Sequence, residues 1–151
     1  MKAVVQRVSS SCVKVDGELI GSIGRGYNVL LGVEPGDTEE HADVLAAKIA
    51  KLRIFRDEQD KMNLSVTDID GEILVISQFT LCADIRKGNR PSFTTAASPD
   101  KANELYEYFQ KQLLKNGVRR VEHGEFGADM KVEINNDGPV TILMDTSIWV
   151  K

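Results

Sequence analysis

The segment Met1 to Val33, MKAVVQRVSSSCVKVDGELIGSIGRGYNVLLGV, decides the fold. It is rich in β-branched residues that alternate over the short stretches AVVQRV, SCVKV, LIGSIG and NVLLGV. Asp16-Gly17 and Gly24-Arg25-Gly26 break those stretches apart. Alternation punctuated by turn residues predicts a β-meander. Next, Glu34-Pro35-Gly36-Asp37 reads as a turn, and Thr38 is placed to cap a helix whose first residues, Glu39 and Glu40, suit the positive end of its dipole. Ala42, Leu45, Ile49 and Leu52 recur at three and four residues, so one stripe packs on the sheet while Lys48 and Lys51 face water.

Farther along, Arg53 to Asp70 reads as a strand, a charged turn and a return. ILVI within Glu72 to Leu81 is a buried strand that runs straight into SQFTL. Cys82 to Ala97 has turn composition without periodicity and is expected to be a surface loop. Ser98 caps a second helix with Pro99 at its first position. Its buried face is Ala102, Leu105, Tyr106, Phe109 and Leu113, Lys111 and Lys115 sit in its last turns, and Gly117 closes it. VRRVE, MKVEI, VTILMD and SIWV then read as four short strands, with turns at His123-Gly124, Asn135-Asn136 and Asp145-Thr146. The total is about ten short strands and two helices. The expected fold class is α+β: a curved, mainly antiparallel, barrel-like sheet with two main packed helices. Neither linker nor repeat interrupts the chain, so residues 1–151 are expected to form a single domain.

Hydrophobic residues make up 42% of the chain, enough for a core that needs no metal or disulfide staple. No apolar run approaches the roughly 20 residues of a membrane-spanning helix, so no membrane association is expected. Cys12 and Cys82 stand apart among apolar neighbours without a CxxC, and are expected to be free core thiols suited to a reducing cytoplasm. The net charge of −4 argues against indiscriminate nucleic-acid binding, which depends on Lys and Arg meeting phosphates. It leaves room for a grip on one end of an RNA. Arg86, Lys87 and Arg90 cluster just after SQFTL, and Arg119 and Arg120 lie together later; on composition alone both groups read as solvated surface.

Most hydrolytic chemistry lacks its usual residues. Side-chain nucleophiles need a base, and the two histidines fall in a first helical turn (His41) and before a glycine in a turn (His123). HExxH, EF-hand, Walker A and helix-opening GxGxxG motifs are absent, and the 23 carboxylates scatter along charged faces. No metal or cofactor is implied. What remains is a site working through backbone groups and the substrate's own functional groups.

Two segments fit that description. Ser77 to Leu81 (SQFTL) places Ser77, Gln78, Phe79 and Thr80 at the end of a buried strand. Polar residues there are either paired, facing a cavity, or on an edge facing water. Asn136 to Thr141 (NDGPVT) holds Gly138-Pro139, which by sequence is either a plain turn or a cis peptide.

Both strings resemble the signatures of the D-aminoacyl-tRNA deacylase family. VQRV (Val5–Val8), RIFRDEQDKMNLSV (Arg53–Val66), RPSF (Arg90–Phe93), ASPD (Ala97–Asp100) and FGADM (Phe126–Met130) also resemble family segments, in the expected order. One departure is His123, where the family more often has threonine. The resemblance implies a homodimer that hydrolyses the ester on the 3′ end of D-aminoacyl-tRNA, a proofreading step in translation. It further implies a cis Gly138-Pro139 bond whose parallel carbonyls enter the opposite subunit's active site and reject L-aminoacyl esters. SQFTL then lines the pocket for the terminal adenosine and the ester.

Within that scheme the backbone N–H groups of Phe79 and Thr80 form an oxyanion hole. Attack comes from the Thr80 hydroxyl or from a water assisted by the ribose 2′-OH. The second is favoured, because the vicinal hydroxyl is held beside the carbonyl by connectivity while Thr80 has no visible base. Ser77 and Gln78 hold the adenosine end and the pocket wall. Phe126 and Met130 pack around the adenine or are simply core. Arg7 either orients the Gly138-Pro139 carbonyls or forms a surface ion pair. Glycine has no side chain to exclude, so glycyl-tRNA, including glycine mischarged on the alanine tRNA, should also be cleaved. Two rival readings remain. One is a non-enzymatic RNA-end binder using Arg86, Lys87 and Arg90 with Phe79 or Phe126 as a stacking platform. The other is an editing domain specific for an L-amino acid.

Overall fold

The computed structural model describes all of residues 1–151. In chain order the elements are β1 (Lys2–Val15), β2 (Glu18–Ile23), β3 (Gly26–Gly32), α1 (Glu39–Lys51), β4 (Phe55–Arg56), β5 (Met62–Leu64), β6 (Glu72–Ser77), α2 (Pro99–Lys115), β7 (Arg120–His123) and β8 (Lys131–Asp145). Short 3-10 turns occupy Phe79–Cys82 and Thr146–Ile148. β1 pairs antiparallel with β8 along one edge, and with β2 and then β3 along the other. β6 joins β3 in parallel and β7 joins β6 in parallel, so the six-stranded sheet is mixed.

Two glycines let the sheet curl. A Cβ on Gly26 would lie 1.7 Å from the Glu72 carbonyl oxygen, and one on Gly21 would lie 2.6 Å from that of His123. β2 thus leans over β6 and β7, and the sheet nearly closes into a barrel with both helices on one face. The alternation in β6 explains its unbroken apolar run. Ile73 and Val75 enter the large core beneath α1 and α2, while Leu74 and Ile76 join Val8, Val13 and Ile23 in a smaller core inside the curl. Each such side chain contributes about 1.5–3 kcal/mol by burial, so β6 is anchored from both faces. The turn that follows it inherits that rigidity.

The expected α+β class and both helices are present. Ala42, Leu45 and Ile49 of α1 are buried, as are Ala102, Leu105, Tyr106, Phe109 and Leu113 of α2. Thr38 caps α1 with an unexpected partner: its backbone N–H donates to His41 Nδ1 at 3.0 Å, a role usually filled by Glu or Gln. The strands differ in number and length. AVVQRV and SCVKV form the single strand β1, since the serines between them are compatible with extended chain. MKVEI and VTILMD likewise form the single strand β8, with no turn at Asn135-Asn136. SIWV is not a strand; Asp145 accepts the Ser147 N–H at 2.9 Å and starts the final 3-10 turn. No helix is long and apolar enough to cross a membrane.

Candidate active site

β6 ends at Ser77, but its ladder runs one residue farther, with the Gln78 N–H donating to the Leu31 carbonyl at 2.7 Å. The chain then tightens, as the Leu81 N–H returns to the Gln78 carbonyl and that of Ala83 to the Thr80 carbonyl. Phe79 and Thr80 open this 3-10 turn, so their own N–H groups are ones the turn itself cannot use. Thr80 is exposed, and its hydroxyl accepts a hydrogen bond from Gln78 Nε2.

A cavity of about 510 Å³ lies against this turn. Ser77, Gln78 and Phe79 form one side, and Phe126 and Met130, both half-buried, form another. The sequence reading missed the third side, which is Phe93 with Ala96, Ala97, Pro99 and Ala102 from the long loop and the start of α2. The Phe93 ring meets Phe79 edge-on at 5.0 Å, and Phe126 tilts against Tyr106 at 6.0 Å. The lining is mainly apolar and aromatic, with Ser77 and Gln78 on the β6 side and Asp129 on the Phe126–Met130 side, as suits a flat heterocycle with a polar appendage.

Gly138 and Pro139 lie elsewhere. Gln6 of β1 pairs with Thr141 and Val8 with Asn136, so Asp137, Gly138, Pro139 and Val140 bulge out opposite Arg7 alone. The Gly138-Pro139 peptide bond is cis and both residues are exposed. Gly138 has φ +125°, and a Cβ there would meet Val140 Cγ2 at 2.8 Å and Arg7 Nη2 at 3.0 Å. Only glycine fits without a shift. Asn136, which the sequence reading placed in a turn and gave no role, donates through Nδ2 to the Arg7 and Val140 carbonyls, both at 3.0 Å, and ties the two ends of the bulge.

Arg7 is 2% exposed and is not a surface residue. Its Nε donates to the Asp137 carbonyl at 3.2 Å and its Nη1 to the Ile54 carbonyl at 2.7 Å. Asp137 Oδ2 lies 3.3 Å from Nε, while Nη2 is buried without a hydrogen-bond partner. Nearby, burial raises the Tyr27 hydroxyl far above its usual range, partly opposed by the Arg7 charge. The bulge therefore rests on a buried cation.

Strand register separates the two segments within one chain. Ser77 pairs with Leu31, Leu31 with Ala3 and Ala3 with Met144, whereas the bulge faces Arg7, four residues along β1. The offset is roughly 13 Å along the strands and roughly 14 Å across them. Between them, the outward row carries Val4, Leu81 and Leu143, which line a shallow groove, and Leu143 is 77% exposed. Neither histidine lines the cavity: His41 caps α1, and His123 Nδ1 sits 2.7 Å from the Gly124 carbonyl.

Comparison with known proteins identifies the family. The family model described as D-Tyr-tRNA(Tyr) deacylase matches residues 4–145. A Clostridium beijerinckii protein named D-aminoacyl-tRNA deacylase is 62% identical over 97% of this chain and 97% of its own, and a Clostridium botulinum (strain Alaska E43 / Type E3) protein of the same name is 60% identical over 97% and 98%. Among solved structures, one titled c-Myc DNA Unwinding Element Binding Protein superposes with a TM-score of 0.91 at 46% identity, covering 96% of this chain and 98% of that one. Another, titled as a probable eukaryotic D-amino acid tRNA deacylase, shares the fold with a TM-score of 0.81 at 18% identity over 95% and 97%. The chain belongs to the D-aminoacyl-tRNA deacylase family, hydrolases that act on aminoacyl-tRNA.

Proposed function

We propose that the chain works as a cytoplasmic homodimer, with the SQFTL turn of one subunit performing hydrolysis and Gly138-Pro139 of the other selecting the substrate. The observation that carries this reading is the separation of the two segments: the bulge is too far from its own cavity to act there. A second copy docked on the row formed by exposed Leu143 and half-buried Val4 and Leu81, which runs between them, brings each bulge toward the other subunit's turn.

The terminal adenosine enters the cavity between Phe79, Phe126 and Met130, with Ser77 and Gln78 at its polar end. The ester then lies beside the turn, where the N–H groups of Phe79 and Thr80 receive the developing oxyanion, each good donor being worth about 2.7–4 kcal/mol. Gln78 donates to the Thr80 hydroxyl, which leaves that hydroxyl's own proton free to point toward the ester or a water. No side-chain base stands beside Thr80, so we assign the assisting group to the ribose 2′-OH. The Gly138 and Pro139 carbonyls of the partner subunit hold the α-ammonium group, and their bulk excludes an L side chain. Glycine passes, which extends activity to glycyl-tRNA, including glycine mischarged on the alanine tRNA.

Hydrolysis of D-, L- and glycyl-tRNA by the purified protein tests this reading. D and glycyl esters should be cleaved and the L ester left at the buffer rate. Equal rates for D and L esters would sink the selection step. A nucleic-acid binder, the reading favoured by the name of the 46%-identical structure, would leave all three esters at the buffer rate.

A further inference from the structure

We infer that Lys87 and Arg90 grip backbone phosphates of the RNA just upstream of its terminal ribose, a step that rests on the proposed use of the cavity. The loop between the 3-10 turn and α2 leaves and rejoins the cavity rim: Phe79 precedes it, and Phe93, Ala96 and Ala97 follow its tip. Asp84 and Ser92 exchange backbone hydrogen bonds of 2.8 and 2.9 Å, which narrow the loop to a hairpin. Beyond that pair the chain bends through residues 86–90, and this tip carries Arg86, Lys87 and Arg90.

These three cations are not equivalent. Arg86 is bound by Asp84 through Nε at 2.9 Å and Nη2 at 2.7 Å, and the Arg86 N–H also donates to the same carboxylate at 3.0 Å. That pairing pulls the Asp84 carboxyl down to about 2, so Arg86 stays neutralised at any physiological pH. Lys87 and Arg90 are exposed and held by no such carboxylate. From Ile85 to Pro99 the sequence contains no Asp or Glu at all, in a chain with 23 acidic residues and a net charge of −4. The acidic residue lining the cavity, Asp129, is paired with Lys131 at 3.4 Å, so the two positive charges on the loop that borders the cavity stand in local excess on an otherwise acidic protein and fit a polyanion that arrives end first.

The test compares Lys87→Ala/Arg90→Ala with the wild-type protein and with the charge-matched Lys61→Ala/Lys115→Ala, using an acceptor-stem RNA hairpin ending in CCA. Binding is followed by fluorescence anisotropy across about 50 to 200 mM salt. The loop variant should bind roughly 50-fold more weakly near 0.1 M salt, with a log–log salt slope shallower by about 2. The control should shift affinity less than about twofold. In parallel, hydrolysis of a D-aminoacyl ester of adenosine, which has no upstream phosphate, should proceed at the wild-type rate in the loop variant. An unchanged slope, or an equal loss on the adenosine ester, overturns the phosphate grip. A wild-type protein that binds the hairpin with the expected loop dependence but cleaves no ester supports the grip and overturns the catalytic reading.

Discussion

The Phe79–Cys82 turn ends a strand and the Asp137–Val140 bulge interrupts one, and the two are held in opposite ways. The turn is closed by its neighbours: Gln78 bonds Leu81 through the backbone and Thr80 through its side chain. The bulge is held from across the molecule, by Arg7 on β1, the Ile54 carbonyl behind it and Asn136 at its base. A locally closed turn tolerates loss of a side chain. A bulge carried on one buried guanidinium is sensitive to any atom that displaces it.

The largest effect should come from removing a backbone donor of the turn without disturbing its shape. Phe79 is the first residue of the 3-10 turn and follows a non-helical Gln78 (φ −138°, ψ 78°), a position that accepts proline. Phe79→Pro should therefore lose about 10²–10³-fold in kcat relative to Phe79→Ala, which removes the ring but keeps the N–H. Equal kcat for the two variants would remove this N–H from the mechanism.

Next comes Gly138→Ala. The added methyl must move either Val140 or the Arg7 guanidinium, and a shift near 1 Å at a reacting group costs about 10²-fold. Activity on D esters should fall by that order, and the D-to-L ratio should fall with it. Loss of activity with an intact ratio would show that the bulge supports the fold and not selection.

The smallest effect should come from Glu72, at the far end of β6 from the turn. Its carboxyl accepts the Gly24 N–H at 2.8 Å and pairs with Arg120 and Arg119, each at 3.2 Å, which holds it below the usual carboxylate range. A depressed carboxylate contributes stability that is complete above its unfolded pKa and is lost as pH falls through the folded value. Glu72→Gln should lower stability by about 1–2 kcal/mol at neutral pH. Its urea midpoint should then drop less than that of the wild type below about pH 4. Parallel acid profiles would contradict this, and a change in D-to-L ratio would show that the two regions are coupled through β6.

The difference between the regions also decides what the sequence made legible. Helix faces, caps and the buried run of β6 depend on neighbours three or four residues away, and they could be read directly. SQFTL could be located because a polar string ending an apolar strand is a local anomaly. The four-residue bulge could not, since nothing in NDGPVT indicates that Asn136 and Thr141 pair with Val8 and Gln6 on a strand more than a hundred residues earlier. Hence the turn expected at Asn135-Asn136 was wrong, and so was the higher strand count. The parallel pairing of β3, β6 and β7 was hidden for the same reason. The burial of Arg7 is a property of the assembled sheet. Phe93 escaped because its loop has no periodicity to show which side faces inward.

Mixing Phe79→Pro with Gly138→Ala most directly tests whether one site is built from two subunits. Each parent should be nearly inactive on D-aminoacyl-tRNA. After subunit exchange at equal amounts, half of the dimers are mixed, and each holds one site with an intact turn from one chain and an intact bulge from the other. The mixture should recover about a quarter of wild-type activity. If exchange is complete and activity stays at the parental level, the turn and the bulge serve the same subunit or different tasks, and the shared-site account fails.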